Sequence, residues 1–231
     1  MFTKAIVRKP GKSVVDGITS AGFGKVDYPT LCQQHEAYIE ALKKCGLQIF
    51  ILEAAEQFPD SVFMEDVALL TPKSAIITRP GAKSRQGEEN LVRPVLENFY
   101  QNIEQINAPG TLEAGDLMIS GNHFYIGLSE RTNQTGAKQL IKILEKYGFS
   151  ASVVHLKDIL HLKTGISYIE NNTVVIAEPY KTEEAFSSYK KLWVDHDESY
   201  SANCVWINGK VLLPTGNPKI KASIQNQGYD V

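Results

Sequence analysis

Three ionisable residues stand at equal spacing along this chain: Glu65, Glu113 and His161, each 48 positions from the next. Asp66 and Asp116 lie close to the two glutamates. Carboxylates aimed at one point repel one another unless a cation sits among them. A histidine in their company brings acid–base chemistry near neutral pH. The set suits a permanent planar cation such as a guanidinium. It equally contains metal-ligand types, and on residue type alone the same side chains could simply cap loops and turns. Equivalent placement favours a shared site. Two basic loops, residues 78–85 and 128–133, add Arg85 and Arg131, whose guanidinium forks suit a carboxylate. Together these features predict a zwitterionic ligand, its cation among the acids and its carboxylate on the arginines.

The spacing has a structural cause. Four segments read as hairpins: residues 65–78, 115–127, 165–176 and 204–213. Each has apolar, β-branched flanks around a Pro, Gly or Asn turn, and Asn208-Gly209 is the strongest such signal. Between them recurs a helix end, a Gly stop and a strand start, at residues 40–49, 142–149 and 222–231. The unit is therefore helix, Gly, strand, loop, hairpin. A fixed period means stacked or radial units, none able to bury its own face alone. We expect an α/β fold of five such units closed radially, with a last unit that stops three residues into its strand at Val231 and a missing strand beside the first one. An open α/β sheet is the alternative. In the radial reading residues 2–8 form an exposed edge strand prone to association.

Composition agrees with one globular domain over residues 1–231. Hydrophobic residues make up 43%, charged residues 22%, and the net charge is −2 with both signs mixed. No basic stretch suggests nucleic acid or a membrane surface, and no apolar run approaches a membrane span. The cysteines, Cys32, Cys45 and Cys204, are sparse and lack zinc or disulfide spacing, which predicts a reducing, cytoplasmic setting.

Longer motifs carry a resemblance. Residues 58–66 (FPDSVFMED), 77–85 (ITRPGAKSR), 112–116 (LEAGD), 125–133 (YIGLSERTN), 160–163 (LHLK) and 201–208 (SANCVWIN) resemble dimethylarginine dimethylaminohydrolase, in order and from residue 2 to the end. The resemblance implies the pentein fold of the amidinotransferase superfamily, a five-bladed α/β propeller. It implies hydrolysis of Nω-methylated arginine to citrulline and a methylamine through a cysteine-linked thiouronium, without cofactor or metal. His161 matches the acid–base histidine, and Glu113 the carboxylate that orients it. Asp60, Glu65 and Asp66 match residues at the cationic end of the substrate and its neighbouring groups, and Arg85 and Arg131 match its carboxylate anchors. Ile18, in the loop of residues 16–20, matches a lid residue. The implied partner is a small molecule only, and a homodimer stays open.

The chain departs from that pattern at the nucleophile. The family's Gly-Gly-Leu-Ser-Cys-like segment is absent, and Cys204, flanked by Val205 and Trp206, reads as a buried, inert thiol. Cys32 and Cys45 read as packing residues. The nucleophile is therefore expected beyond Val231, and the chain as given is expected not to turn over. Two further readings remain: an arginine deiminase or amidinotransferase-like guanidine enzyme, and a binder of arginine or methylarginine without catalysis.

Overall fold

The computed structural model describes residues 1–19, 24–155, 160–180 and 183–231. They form five small sheets. Strand β1 (Lys4–Arg8) leads through helix α1 (Tyr28–Lys44) to β2 (Gln48–Leu52), and the two strands pair in parallel. Hairpin β3 (Ala68–Leu70) and β4 (Ala75–Ile77) is followed by the single turn α2 (Arg93–Leu96) and by β5 (Ile103–Gln105), parallel to β4. Hairpin β6 (Leu117–Ser120) and β7 (His123–Leu128) leads through α3 (Gln134–Lys146) to β8 (Ser150–His155), parallel to β7. The turn α4 (Leu162–Gly165) opens hairpin β9 (Ile166–Tyr168) and β10 (Thr173–Ile176), and β11 (Lys190–Trp193) joins β10 in parallel. Hairpin β12 (Val205–Ile207) and β13 (Lys210–Leu212) precedes α5 (Pro218–Gln225).

So one plan recurs: a short turn, a hairpin, then a strand laid parallel to the hairpin's second strand. Asp27 and Asn133 start the two long helices by accepting from Thr30 N–H and Gly136 N–H. Gly46, Gly148 and Gly228 follow α1, α3 and α5 with φ near +85°, a region open to Gly at little cost. The expected helix does not recur in every unit. The β4–β5 link holds two 3-10 turns and the single turn α2, and the described residues of the β10–β11 link hold 3-10 turns at Glu178–Tyr180 and Glu184–Phe186. In the first of these links Gly87, at φ +97°, interrupts helix-forming sequence.

One further expectation is corrected. The sequence predicts strand from Glu65, Gly115 and Gly165. Met64–Val67 and Ala114–Asp116 are instead 3-10 turns, and Leu162–Gly165 is a helical turn. The strand that opens near Tyr229 starts along β13 of its own unit, with Asp230 opposite Lys210 in parallel.

Apolar clusters join sheet to sheet. Leu69, Ile76 and Ile106 pack with Phe124, Leu140 and Leu144. Met118 and Val154 pack with Ile166 and Val174. Ile169 and Val175 pack with Val211 and Ile220. Val7 and Leu47 of the first sheet pack with Ile207 of the last. There the Asn208 side chain accepts from Phe2 N–H at 2.7 Å and donates to Phe2 O at 2.8 Å and Cys45 O at 3.0 Å. Ile6 meets the cluster around Val67 and Ile77.

Candidate active site

The repeat brings its opening turns together. Asp66, Glu113 and His161, one from the turn before β3, β6 and β9 respectively, present ligand-type atoms all within 4.8 Å of one another. Glu113 and His161 meet as expected. Asp66 takes the place expected for Glu65. A 3-10 turn sends neighbouring side chains in different directions, and here it turns Asp66 inward and Glu65 outward. The Glu65 side chain is 56% exposed and pairs with Lys163 Nζ at 2.6 Å.

His161 is held at both ring nitrogens. Nδ1 lies 3.2 Å from Asp116 Oδ1, and Nε2 lies 3.6 Å from Glu113 Oε2. An ionised carboxylate only accepts, so Nδ1 carries its hydrogen. Burial alone would push the imidazolium down. The hydrogen bond to Asp116 and the charges of Asp66, Asp116 and Glu113 outweigh it, so His161 titrates above its ordinary value. Glu113 titrates above the usual carboxylate range because it is desolvated. The hydrogen bond from Ala82 N–H (2.9 Å) opposes this, and the negative charge of Asp66 adds to it.

Asp116 was not assigned a role from sequence, and it organises the site. Fully buried, it accepts from Ser129 Oγ and Thr132 Oγ1, both at 2.6 Å, besides facing His161. Ser129 Oγ in turn accepts from Arg131 N–H at 2.9 Å, so one carboxylate fixes both the histidine and the loop that carries Arg131. The signal was its place three residues after Glu113 in the same turn.

The loops after the two hairpins touch. A Cβ on Gly81 would lie 2.3 Å from Arg131 O, so only Gly lets them meet. Likewise a Cβ on Gly115 would lie 2.7 Å from Asp66 Oδ1 and 3.0 Å from His161 Cγ.

Arg85 differs from expectation. It is buried, and its fork grips the chain itself. Nε–H donates to Glu88 Oε2 (2.9 Å), Nη1 to Asp66 Oδ2 (2.5 Å), and Nη2 to Glu88 Oε1 (2.8 Å) and Phe63 O (3.1 Å). A two-point grip on a ligand carboxylate is thus already taken by Glu88. Arg131 is half-buried, with no side-chain partner among the described residues. Asp60 is buried. Its Oδ1 accepts from Ile18 N–H at 3.0 Å, while its Oδ2 has no partner. Burial raises its titration, against the Ile18 hydrogen bond and the charges of Arg85 and Arg131. Ile18 is 47% exposed. Ser20, at the end of the expected lid loop, lies outside the described residues.

No cysteine joins the trio among the described residues. Cys204 is 5% exposed, and desolvation pushes its thiol up to about 12. Cys45 is buried at the end of α1, and Cys32 lies on α1.

The chain as a whole matches a known family. Residues 52–211 match the family model described as arginine deiminase. The N(G),N(G)-dimethylarginine dimethylaminohydrolase of Pseudomonas aeruginosa is 48% identical over 232 residues, covering 100% of this chain and 91% of the relative. The chain belongs to the dimethylarginine dimethylaminohydrolase family. A solved structure of the Pseudomonas aeruginosa member of that family, a cysteine-to-serine variant complexed with citrulline, superimposes with a TM-score of 0.98. It shares 48% identity and covers 99% of this chain and 90% of its own. A dimethylarginine dimethylaminohydrolase histidine-to-glycine variant in an adduct with S-methyl-L-thiocitrulline superimposes with a TM-score of 0.97 at 48% identity, covering 99% and 91%. The mixed α/β fold of the chain is that of this family. No helix among the described residues is long and apolar enough to cross a membrane.

Proposed function

We propose that the protein acts on Nω-methylated arginine at the Asp66–Glu113–His161 site, releasing a methylamine and forming citrulline. The observation that carries this reading is the convergence of the buried acids Asp66 and Glu113 on His161, all within 4.8 Å of one another. Both oxygens of Asp66 and Oε1 of Glu113 already accept hydrogen bonds from the chain, which leaves Glu113 Oε2 as the open acceptor. A flat cation with N–H donors fits one open oxygen beside an imidazole better than a metal ion does, since a metal draws several ligands at once.

In the proposed reaction a cysteine thiolate attacks the guanidinium carbon. His161, whose protonated form the surrounding carboxylates favour, gives its proton to the departing methylamine, and an S-linked thiouronium remains. The neutral imidazole then takes a proton from water, whose oxygen attacks the same carbon. The thiolate leaves, and citrulline forms. Glu113 and Asp116 hold the imidazole for both transfers. Asp66 and Glu113 face the cation, and Glu65 stands outside them, paired with Lys163. Asp60 and Ile18 line the neighbouring groups, and Arg131 with Arg85 faces the carboxylate. None of the three cysteines suits the attack, so the reading assigns the thiolate to a cysteine outside these 231 residues.

The reading extends to the fold. The five sheets act as blades of a closed five-bladed propeller. Its support is the run of apolar clusters from each sheet to the next and the contact of Val7 and Leu47 with Ile207.

The test compares citrulline formation from asymmetric dimethylarginine and from arginine, in a form of the protein that carries the family's cysteine segment. Preference for the methylated substrate supports the proposal. Preference for arginine would instead favour a deiminase, and binding of either without citrulline would favour a non-catalytic binder.

A further inference from the structure

Glu88 is a buried carboxylate that the proposed reaction does not use. It is 1% exposed, at the start of the 3-10 turn Glu88–Leu91, and both its oxygens are taken by Arg85. A bidentate carboxylate–guanidinium pair fixes the plane of the guanidinium as well as its position. Arginine has five N–H donors. Glu88 takes two, Phe63 O takes one and Asp66 takes one. One remains, on Nη1, the nitrogen that also binds Asp66.

We propose that Glu88 is a positioning residue of the ligand site, which orients Arg85 so that its one remaining N–H meets the ligand's α-carboxylate while Nη1 also holds Asp66. The proposal rests on the reading that the ligand is an amino acid with a guanidinium or ureido end. The fit of the fork explains why Glu88 lies where it does. An arginine that held the carboxylate with its own fork would need to release Glu88 and leave that charge buried and unpaired, which is costly. With Glu88 in place, Arg85 supplies a single aimed donor and a positive charge. Arg131, with no side-chain partner among the described residues, supplies a second cation. The ligand's carboxylate is then shared between two arginines, one rigid and one adjustable. Such a division favours a carboxylate at a fixed distance from the trio, and therefore side chains of the length of arginine or citrulline.

The test uses citrulline and its decarboxylated analogue, N-carbamoylputrescine, by calorimetric titration of the wild-type chain and of Glu88→Gln. Effects that act through Asp66 or through general loosening touch both ligands and cancel in their ratio. We expect Glu88→Gln to lower the citrulline-to-carbamoylputrescine affinity ratio by about ten-fold, the loss of one charge-assisted hydrogen bond. An unchanged ratio overturns the proposal, even where both affinities fall. Glu88→Asp, which keeps the charge but cannot reach both nitrogens, is expected to lower the ratio in the same direction. It stands in for Glu88→Gln if that variant fails to fold. A wild-type chain that binds both ligands equally sinks the amino-acid reading itself, a different outcome from an unchanged ratio in a chain that prefers citrulline.

Discussion

His161 Nδ1 lies 3.2 Å from Asp116 Oδ1, and Asp116 has no exposed surface. A buried carboxylate opposite a histidine holds a proton on the ring. Asp116→Asn removes that charge and is expected to lower the His161 titration midpoint, which in the wild type stands above its ordinary value. NMR titration of the imidazole reads this directly. An unchanged midpoint in a folded Asp116→Asn chain means that another group holds the proton.

The same shift links pH to stability. His161 binds its proton more tightly folded than unfolded. Its contribution is therefore fully present below the ordinary histidine pKa of about 6.5 and is lost as pH rises through the higher folded value. Urea unfolding of wild type and His161→Asn across pH 5 to 9 checks the sign. Their stability difference should shrink with rising pH, and a difference that grows overturns it.

Glu113 gives the opposite experiment. Its folded carboxyl titrates above its usual range, so above that folded value the ionised form weakens the fold. Glu113→Gln keeps the Ala82 hydrogen bond without the charge. It is expected to be more stable than wild type at pH 8. The gain should vanish below about pH 4.5, where the glutamate is neutral in both states. In a form of the protein that carries the family's cysteine segment, the same substitution should lower citrulline formation, because the oxygen beside His161 Nε2 has changed. A variant that loses stability at pH 8 would show that the acid is not strained.

How much of this could be read from the sequence varies by residue. The 48-residue spacing placed Glu113 and His161 correctly, because both stand at the entry to a hairpin. It misplaced Glu65, since a 3-10 turn before the strand decides which of two adjacent acids faces inward, and spacing carries no such phase. The fork of Arg85 suits a ligand carboxylate, and nothing in the sequence marks Glu88, next to Glu89, as the group that takes it instead. Only its burial shows that it is the partner. Cys204 was legible, since its apolar flanks foretold a thiol with no role in the site. Asp116 shared a motif with Glu113, but its link to His161 needs the two turns in space.

Arg85 anchors three groups at once. Arg85→Met leaves Asp66 and Glu88 buried without their cation, and the loss is expected to be about 3–5 kcal/mol. Urea unfolding measures it. A loss under about 1 kcal/mol would mean that these acids reach solvent or share protons once the arginine is gone.

Gly115→Ala tests the close approach at the centre of the site. The new methyl would stand 2.7 Å from Asp66 Oδ1 and 3.0 Å from His161 Cγ. The first is closer than real Cβ contacts come and the second is tighter than most, so one of two anchored neighbours must shift. Asp66 is held by Arg85 and His161 by Asp116. Overpacking of this kind costs about 1–3 kcal/mol. The imidazole is the more exposed of the two and should move, lengthening its contact with Asp116. The His161 titration midpoint then falls along with stability. A variant with lowered stability and an unmoved midpoint would show that the backbone yields instead, and that His161 is held more firmly than its two ring contacts account for.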